Sequence, residues 1–97
     1  MSQQLSLLAK FEVKKDQIDF FKSEALKLID ASKNEQGCIY YSLHQNNEKS
    51  DVLVFTEIWE SEDALEEHKN TAHFKAFFSI IENLIESVSL EQMTPIG

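Results

Sequence analysis

Two histidines five positions apart, His68 and His73, are the groups in this chain best suited to move a proton near neutral pH. They lie in the run Glu57-Ile58-Trp59-Glu60-Ser61-Glu62-Asp63-Ala64-Leu65-Glu66-Glu67-His68, continued by Asn70-Thr71-Ala72-His73-Phe74, where a strand end and two helix starts meet. His68 follows Ala64 by four positions, which puts it on the inward side of a short helix, where an imidazole needs a partner or a task. His73 falls in the first turn of the next helix; it reads first as a junction residue satisfying carbonyls and second as a catalytic partner of His68. Glu57 interrupts an apolar strand face between Phe55 and Trp59, so its carboxylate must be hydrogen-bonded, to the backbone or a partner subunit, or face a ligand. Trp59, Tyr40, Tyr41 and Phe74 offer flat surfaces suited to an aromatic ligand, although aromatics in strands are commonly core.

Glu57, His68 and His73 could in principle form a two-histidine, one-carboxylate metal set, but their spacing matches no established local ligand motif, and no metal is expected. No nucleophile motif or phosphate-cradling loop is present, and neither of the two glycines stands in a strand-to-helix turn. No cofactor is therefore expected. Cys38, the only cysteine, reads as a small packed hydrophobe, and His44 as an exposed strand residue.

The elements that must position these groups follow from periodicity. Apolar residues at 5, 7, 9, 11 and 13 alternate strictly and predict a strand over Leu5 to Val13. Asp16 reads as the cap of a helix running to Ser32, with Ile18, Phe21, Ala25, Leu28 and Ile29 on one stripe. Gly37 suits a turn at positive φ, followed by a strand from Cys38 to Gln45 and, after a polar hairpin, another from Val52 to Glu60. Ser61 caps a short helix ending near Asn70, and Thr71 caps a longer one carrying Phe74, Phe77, Phe78, Ile81 and Ile85 to about Ser87. Val88 and Leu90 begin the last strand. This order predicts an α+β, ferredoxin-like fold: an antiparallel four-stranded sheet with helices on one face. The third strand is apolar on both faces, Val52, Val54 and Ile58 on one and Leu53, Phe55 and Trp59 on the other. A homodimer with its sheets packed face to face is therefore expected.

The 97 residues allow one domain spanning 1–97, and no stretch is long enough to cross a bilayer. No signal peptide is visible, so the expected location is cytoplasmic. Seventeen acidic against nine basic residues give a net charge of −8, and every basic residue is lysine. Without an arginine fork the chain is poorly equipped for phosphate or nucleic acid, and its charge repels anionic membranes, leaving a neutral organic ligand as the favoured partner.

Glu35, Gly37, Cys38 and Tyr41, followed by Glu57-x-Trp59-x-Ser61, Ala64, His68 and His73-Phe74, resemble the pattern of the antibiotic biosynthesis monooxygenase (ABM) domain family across nearly the whole chain. The resemblance implies a dimeric ferredoxin-like protein, a dimeric α/β barrel, that oxygenates a phenolic or quinol-type aromatic with dioxygen and no prosthetic group. It implies His68 as the residue that takes or orients the substrate proton, His73 second, Trp59 and Phe74 as apolar wall, and Tyr40 or Tyr41 as donor to a ring oxygen. The family's haem-degrading branch carries an asparagine, a tryptophan and a histidine where this chain has Ala9, His68 and Phe78, which argues against haem. A branch that isomerises a small phosphorylated compound shares the junction histidines, so proton-transfer isomerisation stands as the alternative, with a non-catalytic ligand-binding dimer behind it.

Overall fold

The computed structural model describes residues 3–97. The order is β1 (Leu5–Val13), α1 (Ile18–Ser32), β2 (Cys38–Gln45), β3 (Val52–Trp59), α2 (Glu62–Lys69), α3 (Ala72–Ile81) and β4 (Ile85–Met93). The strands form one sheet ordered β2-β3-β1-β4, with every neighbouring pair antiparallel. This is the ferredoxin-like α+β arrangement that the order of elements predicts.

One sheet face carries the core. Leu7, Ala9, Phe11 and Val13 of β1 and Leu53, Phe55 and Trp59 of β3 are buried against Phe21, Ala25, Leu28 and Ile29 of α1 and Phe77 and Ile81 of α3. Phe11 sits at the centre, its ring 5.3 Å from Phe21, 5.8 Å from Phe55 and 6.4 Å from Phe77, in the tilted and edge-on contacts that aromatic quadrupoles favour. Among the described residues no helix covers the opposite face, where Leu8, Val54 and Ile58 are half-buried and Tyr40 and Met93 are exposed.

Two sequence expectations are corrected. Asp16 does not cap α1: a tight turn closed by Gln17 N–H donating to the Lys14 carbonyl (2.9 Å) makes Gln17 the first flanking residue, with no side-chain cap. The third helix stops at Ile81, short of Ser87. Leu84 N–H turns back to the Ile81 carbonyl and Lys14 N–H takes the Leu84 carbonyl, each at 2.8 Å, so Ile85 enters the sheet opposite Val13. Pairing with β1 satisfies backbone groups that one more helical turn would have left at a fraying end. No helix among the described residues is long and apolar enough to cross a membrane.

Candidate active site

The site forms where β2, β3 and the α2–α3 junction meet. Ser61 begins α2 by accepting a hydrogen bond from Ala64 N–H (3.2 Å), which aligns Ala64, Leu65 and His68 on the buried side. Thr71 then ties the helices together. Its hydroxyl donates to the His68 carbonyl (2.7 Å) and accepts from Phe74 N–H (3.2 Å), fixing the separation of His68 and His73.

Between the imidazoles lies Glu35, from the turn before β2. A single oxygen, Oε2, accepts from His68 Nδ1 at 2.7 Å and from His73 Nε2 at 2.6 Å. The His68 side chain is only 1% exposed and that of His73 is 31% exposed, so the string runs from solvent into the core. Burial is the main influence on His68 and lowers its pKa, with Glu35 opposing. The neutral ring therefore donates through Nδ1–H and leaves Nε2 as an acceptor facing the Tyr41 hydroxyl at 3.5 Å. Trp59 stacks beneath the imidazole, centroids 4.6 Å apart and planes at 34°, and Phe74 packs edge-on at 5.0 Å.

Glu57 is the other buried carboxyl. Trp59 Nε1–H donates to its Oε1 at 2.9 Å, so the hydrogen bond expected of Glu57 comes from a side chain of its own strand and not from the backbone or a partner subunit. Burial pushes Glu57 up to about 7, with Trp59 and Tyr41 acting in the opposite direction and Glu35 reinforcing the rise. Burial, and Glu57 after it, also raise Tyr41, so its phenol stays protonated. Cys38 rises to about 11 for the same leading reason and has no nucleophilic character at neutral pH.

Glu57, Tyr41 and Lys69 are the polar groups on the wall of a small cavity between the sheet and the helices, otherwise lined by apolar residues that include Ala9, Phe55, Leu65, Phe74 and Phe78. Its volume of about 30 Å³ holds roughly one or two waters. That is smaller than an aromatic ring, so a ring enters only with movement of lining side chains, of which Phe74 and Phe78 are half-buried. A larger groove of about 550 Å³, lined by Lys10, Glu12, Lys49 and Glu91 among others, contains none of the residues just described.

The structure thus brings together Glu57, Trp59, Tyr41, His68, His73 and Phe74. Tyr40 lies apart: it is 45% exposed on the uncovered sheet face. Glu35, which the sequence marks as part of the family pattern but without a role, replaces Glu57 as the carboxylate nearest both histidines. Ligand atoms of Glu35, His68 and His73 lie within 4.8 Å of one another. The 2.6 and 2.7 Å contacts are hydrogen-bond lengths, shorter than the roughly 3.3 Å that separates tetrahedral ligands bonded at about 2.0 Å. The trio is therefore spaced as a proton-sharing set.

Known proteins share the sequence pattern and the fold. The family model described as "Antibiotic biosynthesis monooxygenase" matches residues 5–79. The Bacillus subtilis protein named "Putative monooxygenase YcnE" is 35% identical over 71 residues, covering 73% of this chain and 75% of its own length. The crystal structure of PA3566 from Pseudomonas aeruginosa superposes with a TM-score of 0.93 at 32% identity, covering 100% of this chain and 98% of that one. A conserved Methanosarcina mazei protein gives a TM-score of 0.93 at 25% identity, covering 97% and 94%.

Proposed function

The chain belongs to the antibiotic biosynthesis monooxygenase family, and from that premise we propose that it oxygenates a small phenolic or quinol-type aromatic with dioxygen, without a cofactor. The observation that carries this reading is the string from half-buried His73 through Glu35 and buried His68 to Tyr41, which ends at a largely apolar cavity. Such a reaction asks the protein for a base and a dry, shaped space. The deprotonated substrate is itself electron-rich: it passes an electron to dioxygen and the two radicals combine. For an anthrone, loss of water from the resulting peroxide leaves a carbonyl; one oxygen atom enters the product, the other leaves as water, and substrate carbon supplies all four electrons.

In this account Glu35 holds the His68 tautomer, His68 orients the proton transfer through Tyr41, and His73 connects Glu35 to solvent. Trp59 and Phe74 form the apolar wall around His68. The test is oxygen uptake by purified protein on a panel of reduced quinols and anthrones. Uptake above the boiled control is expected, reduced on the order of 10²-fold or more in His68→Ala and unchanged by a chelator. No uptake with any compound removes the oxygenase reading and favours proton-transfer isomerisation, which needs the same string and consumes no oxygen.

The reading also pairs two copies through the uncovered sheet face. Light scattering at micromolar concentration is expected to give twice the 11.2 kDa chain mass, and Ile58→Lys to give the single chain, because it places a charge in that face. A single-chain mass for the unmutated protein removes the dimer.

A further inference from the structure

We propose that Glu57 is the catalytic residue that first accepts the substrate's hydroxyl proton. This assignment rests on the phenol-oxidising reading above, and the position of the carboxyl group on the cavity wall carries it.

His68 has both ring nitrogens engaged, Nδ1 by Glu35 and Nε2 facing Tyr41, and it does not line the cavity. Glu57 does line it. Its side chain projects from β3 on the helix-covered face, directly across the sheet from Tyr41 on one side and Leu7 on the other. Trp59 Nε1–H holds Oε1 and leaves the second oxygen as an acceptor. Tyr41 of β2, Lys69 of α2 and Glu35 from the turn are the titratable groups that act on it, with His68 behind Tyr41; the neighbouring cavity residues of β1 and α3 are apolar.

When a phenol, or an anthrone in its enol form, enters, its O–H bond breaks, the electron pair stays on the resulting oxyanion and the proton joins the Glu57 carboxylate. No other reactant is needed. A carboxyl held near 7 is a stronger base than an ordinary carboxylate and still partly ionised at neutral pH, the compromise that general-base catalysis favours. His68 is by this account a positioning residue, fixing Tyr41 beside the carboxyl.

The test uses para-nitrophenol as an unreactive, coloured probe, titrated against the full-length protein across pH. The complex of the unmutated protein holds one proton shared between probe and Glu57. Above neutrality, where both free partners have lost theirs, affinity should fall about tenfold per pH unit, with the bound probe showing phenolate absorbance. Glu57→Gln keeps an acceptor for Trp59 but cannot take a proton, so its affinity for the phenolate should stay flat over that range. Trp59→Phe removes a donor that favours the ionised carboxylate, so the fall should begin at higher pH. Parallel pH dependence in the unmutated protein and Glu57→Gln, an unmoved onset in Trp59→Phe, or no saturable binding to the unmutated protein at any pH would each overturn the assignment. Oxygen uptake is measured separately on an anthrone. Its absence beside the expected probe behaviour defeats the oxygenase reading and leaves Glu57 as a base; its presence beside parallel pH dependence does the reverse.

Discussion

Replacing Glu35 with alanine is expected to destabilise the fold by about 2–4 kcal/mol, lowering the melting temperature by roughly 10–25 °C for a domain of this size. The reason is that one carboxylate oxygen serves two imidazoles, and one of them has almost no water to turn to: the His68 side chain is 1% exposed. An unpartnered N–H there loses its hydrogen bond and keeps its desolvation cost. His73 is partly wet, at 31% exposure, so His73→Ala should cost less than about 1 kcal/mol. Glu66, 63% exposed and paired with Lys69 at 3.4 Å, provides the contrast: its loss should stay within about 0.5 kcal/mol. Thermal unfolding of the three variants checks the order. A Glu35→Ala loss no larger than that of Glu66→Ala would mean that the string contributes nothing to the fold. His68 also predicts an acid limb. Its folded pKa lies below 6.5, so stability holds above that pH and declines below it, where the unfolded chain takes a proton that the buried ring resists.

Gly37→Ala should cost about 3 kcal/mol and disturb the site from a distance. Gly37 has φ +90, and a Cβ there would stand 2.6 Å from the Ala64 Cβ on α2. Backbone strain and collision therefore act together. The turn also carries Glu35, and its Gly37 carbonyl accepts Glu60 N–H at 2.8 Å just before the cap of α2. Pushing it outward draws the carboxylate away from both histidines. Ala64→Gly in the Gly37→Ala background removes the collision partner but not the φ strain, and adds a helix penalty of about 1 kcal/mol. Chemical denaturation should show a double-mutant loss smaller than the sum of the two single losses. Strict additivity would show that the contact does not matter.

The elements were legible where one local rule governed them. Alternation marked β1, and Ser61 and Thr71 announced the two helix starts because each cap needs only its own next three residues. The end of α3 was not legible, because the spacing of Ile81 and Ile85 suits a helix while the strand that claims Ile85 lies far back at Val13. His68 as an inward group was readable from Ala64 four positions earlier. Its partner was not: Glu35 lies 33 positions from His68 and 38 from His73, in a turn where polar residues are ordinary. The tyrosines show a different limit. The pairing shifts between Cys38 and Tyr40, a bulge that turns Tyr41 toward His68 and Tyr40 away. A one-residue slip that alternation alone does not disclose decides which phenol reaches the site.

The family relationship and the cavity geometry meet in one claim, that dioxygen reacts with a substrate deprotonated inside this protein. Mass analysis of the product formed from an anthrone under isotopically labelled dioxygen tests it most directly. The account predicts one labelled oxygen atom in the product, formed faster than in the His68→Ala and Glu57→Gln proteins. An anthrone left unoxidised, or oxidised no faster than without protein, would contradict it.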